Sequence, residues 1–193
     1  SIEAVRREKG ALLDVMAGQG TVVINHDDAH IGILAKQWQG KRITFGLGGG
    51  ADVTARAIEH TGYEGVRFIL VMNGRESAVR LRVPGEHNIT NALAAAAAAS
   101  VLGFDPPAVA RGLATFLPVE GRMEIRRLSM GAFMIIDAYN ANPASMREAI
   151  KTLRKLKTGG KGIVVLGDML ELGTRAEELH EEVGALIAET GVD

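Results

Sequence analysis

The residues whose types and spacing could do chemistry fall into a few short stretches. Asp137, Tyr139, Asn140 and Asn142 directly follow the apolar run Phe133-Met134-Ile135-Ile136. A carboxylate at the end of a strand can accept hydrogen bonds from ribose hydroxyls or from a metal-bound water, and open α/β sheets bind ligands at that edge. Each Asn can donate as well as accept. The same spacing is also that of a helix cap, with Pro143 suited to the first helical turn, so a purely structural role for Asp137 and Asn142 stays open. His87, Asn88 and Asn91 surround the start of an alanine-rich run, Ala92-Leu93 and six further alanines. Asn88 and Asn91, three apart, share a helix face. Helix N-termini attract anions and polar ligands, although Asn88 could equally cap that helix. Asp168, in Gly167-Asp168-Met169, repeats the pattern of a carboxylate after an apolar run.

These groups must be held by a definite set of elements. Ile2 to Met16 reads as an amphipathic helix stopped by Gly18-Gln19-Gly20. Thr21 to Ile24 and Ile43 to Phe45 read as buried strands flanking a helix from Ala29 to Gln37, capped by Asp27 or Asp28. That alternation predicts a parallel sheet. Strand-like runs at 52–59, 67–72 and 78–83 come after it, with Asn73-Gly74 as a hairpin signal. Two helices come next, the alanine-rich one and one over Ala108 to Thr115 after Asp105-Pro106-Pro107. Leu117 to Arg122, short and containing Pro and Gly, reads as a connector between two units. Beyond it the pattern predicts strands over Met123–Arg127 and Phe133–Ile136, a helix over Ser145–Leu156, a parallel strand over Lys161–Leu166, and a helix over Glu177–Glu189.

Other signals carry less. Gly46-Leu47-Gly48-Gly49-Gly50 lacks the spacing of a dinucleotide loop and reads as a plain loop, and no Gly-Lys-Ser/Thr occurs. His26 and His30 are four apart, without a third ligand nearby for zinc. His180, among glutamates, reads as a surface or interface residue, Trp38 as packing, and Lys9 by default as a solvated lysine.

The 193 residues are 47% hydrophobic, enough for one large or two small cores. A net charge of −1 shows no nucleic-acid footprint. The absence of cysteine excludes a disulfide framework and a thiolate nucleophile. No apolar run reaches the roughly 18 residues of a membrane span. No signal peptide is visible, and a cytoplasmic location is expected. The chain opens inside one helical pattern and breaks off after another, so a fragment of a longer protein is expected.

Taken in order, Glu8-Lys9-Gly10, Gly85-Glu86-His87-Asn88-Ile89-Thr90-Asn91-Ala92-Leu93-Ala94, Gly121-Arg122, Asp137-Ala138-Tyr139-Asn140-Ala141-Asn142-Pro143 and Leu166-Gly167-Asp168-Met169-Leu170-Glu171-Leu172-Gly173 resemble the Mur ligases. These are ATP-dependent amide-forming enzymes of peptidoglycan synthesis. Within the family the Tyr-Asn-Ala-Asn-Pro and Gly-Asp-Met-x-Glu-Leu-Gly runs resemble the branch that joins D-alanyl-D-alanine to UDP-N-acetylmuramoyl-tripeptide. The resemblance implies an α/β fold: the later part of the central ATPase domain over 1–121, with a mixed sheet and helices, then the start of a Rossmann-like carboxyl-terminal domain over 122–193. It implies ATP and Mg2+ as cofactors. In the implied reaction ATP phosphorylates a peptide carboxylate to an acyl phosphate, which an amine then attacks.

The resemblance also assigns roles. Lys9, His87 and Arg122 would be catalytic, with Lys9 carbamylated and, together with His87, holding the metal. Asn88 and Asn91 would meet adenine, Arg122 the phosphates, and Asp137 the ribose. Tyr139, Asn140, Asn142 and Asp168 would line the entry of the amine. A sister ligase, a folylpolyglutamate synthase-like enzyme and a catalytically silent binding module on the same scaffold are the alternatives. The sequence departs from the family in lacking the phosphate-binding loop. The 193-residue chain alone is therefore expected to show no ATP hydrolysis and no amide formation, because no loop of backbone amides and lysine is present to hold the phosphates. Magnesium-dependent phosphate release by the purified chain would contradict this.

Overall fold

A computed structural model describes residues 2–157 and 159–192. Ser1, Thr158 and Asp193 lie outside it, among them the two ends on which the expectation of a fragment rests. The protein is α/β. It divides into two compact units, one made of residues 1–59, 67–81 and 88–115, the other of 60–66, 82–87 and 116–193.

In the first unit, helix α1 (Ile2–Met16) precedes β1 (Thr21–Asn25), α2 (Ala29–Gln37) and β2 (Lys41–Phe45). β1 and β2 pair in parallel from Thr21↔Lys41 to Asn25↔Phe45. β3 (Val53–His60) joins β2 in parallel at Phe45↔Val53, and β4 (Val66–Met72) and β5 (Arg75–Leu81) extend the sheet in the order β1-β2-β3-β4-β5. A two-residue connection can only join antiparallel strands. Asn73 and Gly74, at φ 54° and 68°, supply the left-handed pair that such a turn requires. β4 alternates as predicted for a strand facing a core: Phe68, Leu70 and Met72 are buried and Arg67 is exposed. Helix α3 (Glu86–Val101) buries Ile89, Leu93, Ala96 and Ala97, and α4 (Pro106–Thr115) packs on β5. Burying a large side chain such as Phe68 or Leu70 contributes roughly 1.5–3 kcal/mol.

The two aspartates after β1 divide their work. Asp28 caps α2, accepting from the backbone N–H groups of His30 at 2.8 Å and Ile31 at 3.1 Å. Asp27 instead reaches across to the glycine loop and accepts from the N–H groups of Leu47 at 2.6 Å and Gly48 at 3.0 Å. A Cβ on Gly46 would lie 2.7 Å from that carboxylate. The Gly46–Gly50 stretch is thus a clamped turn that carries the chain from β2 to its neighbour β3. Asp52 completes the turn by accepting from the N–H and hydroxyl of Thr44, which hold its carboxyl below the usual range. Trp38 is buried and its indole donates to the Lys41 carbonyl.

The second unit is built on a hairpin and two helices. β6 (Glu124–Arg127) and β7 (Phe133–Ile136) pair antiparallel, Glu124 opposite Ile136 and Arg127 opposite Phe133. Helix α5 (Pro143–Leu156) packs against α6 (Ala176–Thr190) around Ile150, Met169, Val183 and Val192. The expected parallel strand over Lys161–Leu166 does not form. The run keeps the two-residue alternation of an extended chain, with Gly162 buried and Val164 turned toward the core, while Ile163 and Val165 are 67% and 91% exposed. A parallel strand needs a ladder partner and cover on both faces. Here the run finds no ladder partner among the described residues.

Helix α5 begins two residues earlier than its periodicity suggests because the cap dictates its start. The Asn142 carboxamide oxygen accepts from the N–H groups of Ala144 and Ser145, each at 3.0 Å, and the Ser145 hydroxyl receives the N–H of Asn142 at 3.1 Å. This reciprocal box satisfies donors that the first turn would otherwise leave unpaired. Asn142→Ala should therefore cost about 1 kcal/mol of stability and Asn142→Asp only a few tenths, read from denaturant midpoints at constant slope. Equal midpoints for the alanine variant and the unaltered protein would contradict the cap.

Candidate functional site

The candidate residues of the second unit are positioned by the hairpin register. Continued past the last paired residues, Glu124 and Ile136, it sets Met123 opposite Asp137, Arg122 opposite Ala138 and Gly121 opposite Tyr139. Two hydrogen bonds tie these positions together, one between backbones and one from a backbone N–H to a side chain. The Tyr139 N–H donates to the Gly121 carbonyl at 3.0 Å, and the Met123 N–H donates to the Asp137 carboxylate at 3.1 Å. Gly121 and Met123 both have positive φ, 72° and 48°, so the chain leaves the ladder in a sharp bend. That bend is tolerable at Gly121 and unfavourable at Met123, whose side chain is buried.

Arg122 comes out of the bend with its guanidinium over the Tyr139 ring, 4.0 Å from the centroid. Such a contact is worth about 0.5–1 kcal/mol at an exposed site. Tyr139 is 67% exposed, so the pair stands on the surface with a cation, a phenol and a half-buried carboxylate in adjacent positions. Asn140 is exposed and its carboxamide oxygen accepts from the Ala141 N–H at 2.9 Å. Asn142 has its oxygen committed to the helix cap, which leaves its NH2 as the group able to serve a ligand. Asp137, Tyr139, Asn140 and Asn142 thus form one contiguous surface turn between β7 and α5. The arrangement can bind hydroxyls through Asp137 and anions through Arg122.

His87 belongs to the same unit. It comes two residues after Gly85, whose φ is 98°. A Cβ on Gly85 would lie 2.6 Å from the His87 ring and 3.2 Å from the Thr152 hydroxyl. Gly85 is therefore required both by its conformation and by the space it leaves. Thr152, the buried polar residue of α5, spends its hydroxyl on the Glu148 carbonyl. One turn further along, Lys155 meets Glu86 at 3.4 Å. Glu148, Thr152 and Lys155 recur at helical spacing, so one face of α5 receives residues 85–87. Sequence reasoning did not single out this face, because nothing in a helix's own pattern tells which other segment will lie across it.

The Nδ1 atom of His87 is buried and has no hydrogen-bond partner. Burial pushes the His87 pKa below its ordinary value of 6.5, against the opposing pull of the Glu148 and Asp137 carboxylates. The ring is thus held neutral with an open nitrogen, the state in which histidine can accept a hydrogen bond or ligate a metal.

Asp168 does not stand at a strand end, since the expected strand is absent. It lies exposed in the irregular loop 167–171, whose Met169 is buried in the core of the unit. His180, read from sequence as a surface or interface residue, is half-buried and bonded to that loop: its Nε2 accepts the Met169 N–H at 3.0 Å.

In the first unit Asn91 donates to Asn88 at 3.5 Å, side chain to side chain, on the first turns of α3. Both carboxamides lie on one helix face, as their spacing requires. Lys9 is exposed on α1. Among the described residues no group of three or more His, Cys, Asp and Glu converges to hold a metal ion.

The charge state of His87 has a measurable consequence. Well above pH 6.5 the ring is neutral in the folded and unfolded protein alike, and contributes no pH dependence. Below pH 6.5 the unfolded chain takes up its proton first, so stability falls until the buried ring itself protonates. His87→Gln should flatten that part of the curve of unfolding free energy against pH. Parallel curves for the two proteins would contradict the burial of a neutral ring.

Comparison with known proteins places this geometry. The Mur ligase middle domain matches residues 1–99, and the Mur ligase glutamate ligase domain matches residues 121–193. A UDP-N-acetylmuramoyl-tripeptide–D-alanyl-D-alanine ligase of Bacillus subtilis is 32% identical over 193 residues, 100% of this chain and 41% of its own. The enzyme of the same name from Escherichia coli is 33% identical over 199 residues, with 100% and 42% covered. A crystal structure of MurF from Acinetobacter baumannii superposes with a TM-score of 0.88 at 33% identity, covering 100% of this chain and 42% of that one. The chain spans about two fifths of the length of these relatives. With both family domains matched in order along it, this chain belongs to the Mur ligase family.

Proposed function

We propose that this chain is the later part of the central domain and the beginning of the carboxyl-terminal domain of a ligase that joins D-alanyl-D-alanine to UDP-N-acetylmuramoyl-tripeptide in the cytoplasm. The observation that carries the reading is that UDP-N-acetylmuramoyl-tripeptide–D-alanyl-D-alanine ligases match the chain from end to end.

ATP supplies the phosphoryl group that turns a peptide carboxylate into a good electrophile. The chain's own residues hold and orient. Asn88 and Asn91 present paired carboxamides suited to the donor and acceptor edge of adenine. Asp137, which already accepts one N–H, has acceptor capacity left for ribose hydroxyls. Arg122 offers planar donors to phosphate oxygens, and its stacking on Tyr139 fixes the plane of that fork. Tyr139, Asn140, Asn142 and Asp168 are the polar groups offered to the incoming dipeptide. His87, neutral and with an open Nδ1, is the group that can accept a hydrogen bond or contribute to a metal site. The described residues do not by themselves build a complete Mg2+ site. Lys9 would contribute to it only as a carbamate, which replaces a cation by anionic oxygens of the kind a hard metal prefers.

The test is made on the full-length protein. Phosphate release should require ATP, the UDP-linked tripeptide and D-alanyl-D-alanine together, and single amino acids in place of the dipeptide should not support it. Efficient use of a single amino acid would instead favour a sister ligase. Lys9→Ala should lower the rate by on the order of a hundredfold, the scale expected for loss of one charge-stabilising group. Short-chain carboxylates should restore part of it. Isotope-labelled bicarbonate should give a carbamate carbon signal in the unaltered protein and none in the variant. An alanine variant as fast as the unaltered protein removes Lys9 from the site.

A further inference from the structure

The loop that carries Asp168 is anchored next to that residue by Met169. Met169 buries its side chain against Ile150, Val183 and Val192, with 3% of its surface exposed. Its neighbours point outward: Asp168 is exposed and Leu170 is 76% exposed. The loop then passes through Glu171 at φ 63°, a left-handed conformation that a side chain disfavours, and reaches Leu172, which packs on the core. No strand holds these residues, so the position of Asp168 depends on what fixes the backbone of Met169.

That fixing comes from His180. Its Nε2 accepts the Met169 N–H at 3.0 Å, and its Nδ1 lies 2.7 Å from the Ala176 carbonyl. A backbone N–H can only donate and a carbonyl can only accept. The two partners therefore fix the ring in one form, with the proton on Nδ1 and the lone pair on Nε2 aimed at the loop. Ala176 is the first residue of α6, one helical turn before His180, so the imidazole is braced by its own helix. The helix is in turn packed through Val183, Leu179 and Leu186. The ring thus ties the backbone of this loop to a packed helix, beside the side-chain anchorage that Met169 and Leu172 give it.

We propose that His180 is a positioning residue for the amine substrate: through the Met169 N–H it holds the 167–171 loop so that Asp168 is presented to the ammonium group of the incoming dipeptide. This rests on the reading of the chain as part of a ligase that adds D-alanyl-D-alanine to UDP-N-acetylmuramoyl-tripeptide. An aspartate carboxylate is the complement of an ammonium, and a charge-assisted hydrogen bond to it is short and directional. Fixing the carboxylate in advance removes the cost of ordering a mobile loop when the dipeptide binds.

The experiment uses the full-length protein with His180→Ala, His180→Gln and Asp168→Asn. Hydrogen exchange by mass spectrometry tracks the peptide containing 167–172, and kinetics are measured for the dipeptide and ATP separately. His180→Ala should speed exchange in that peptide by about tenfold, the scale of one lost hydrogen bond. It should raise KM for D-alanyl-D-alanine by about tenfold or more, with kcat and KM for ATP within about twofold. His180→Gln, whose carboxamide oxygen can accept the same N–H, should recover part of both effects. Asp168→Asn should raise KM for the dipeptide while leaving exchange unchanged. Unchanged exchange in His180→Ala overturns the latch. Faster exchange with an unchanged KM for the dipeptide, or an unchanged KM in Asp168→Asn, overturns the role assigned to the loop. Absence of dipeptide ligation by the unaltered protein would sink the ligase reading instead, and the exchange measurement would still decide whether His180 holds the loop.

Discussion

The register of β6 against β7 is the constraint on which the second unit depends. Setting Glu124 opposite Ile136 leaves no freedom in the residues that continue either strand. Asp137 comes opposite Met123 and Tyr139 opposite Gly121; the Tyr139 N–H bonds the Gly121 carbonyl, and the Asp137 side chain takes the Met123 N–H. A slip of one residue would turn every side chain to the other face. It would move Asp137 off the Met123 N–H and separate Arg122 from the Tyr139 ring. Two left-handed residues, Gly121 and Met123, are accepted to make the bend. Strain of that kind, roughly 1–3 kcal/mol for a residue with a side chain, persists where surrounding contacts over-determine the backbone. Here the burial of Met123 and the two cross-strand bonds supply those contacts.

A second constraint concerns charge. The face of α5 that carries Glu148, Thr152 and Lys155 takes residues 85–87 across it. The salt bridge of Lys155 with Glu86 is exposed and contributes little by itself. The consequence of this packing is the burial of the His87 ring. Desolvation outweighs two nearby carboxylates and keeps the imidazole neutral. A positive ring would repel a metal ion, whereas a neutral one can serve as a ligand. The fold therefore sets the chemical form of His87 before any ligand arrives.

Much of this is legible in the sequence, and the rest is hidden for physical reasons. Helices α1 and α2 run over the residues their periodicity predicts, and the Asn73-Gly74 hairpin is dictated by its turn residues. Those signals are local. The expected strand over Lys161–Leu166 is also a local signal, but a strand exists only if it is paired, and pairing is decided elsewhere in the chain. Asp27 reads as a possible helix cap because a cap and a cross-loop clamp use the same carboxylate; only the return of the chain at Leu47 and Gly48 distinguishes them. Asn142 reads both as a cap and as a ligand group, and the structure shows the cap. His180 reads from the sequence as a surface or interface residue, and its structural contact is hidden for the same reason as those of Glu148 and Thr152. Its sequence neighbours are glutamates, while its bonding partner lies on a loop eleven residues away.

If these surface groups serve a reaction in which ATP activates a carboxylate for attack by an amine, that reaction moves an oxygen atom as well as a phosphoryl group. The carboxylate oxygen that attacks ATP leaves later with the phosphate. The most direct measurement is therefore made on the full-length protein with a UDP-N-acetylmuramoyl-tripeptide whose accepting carboxylate carries a heavy-oxygen label. During ligation of D-alanyl-D-alanine, each phosphate released should carry one labelled oxygen from the peptide. Amide formation that releases only unlabelled phosphate would contradict an acyl-phosphate route.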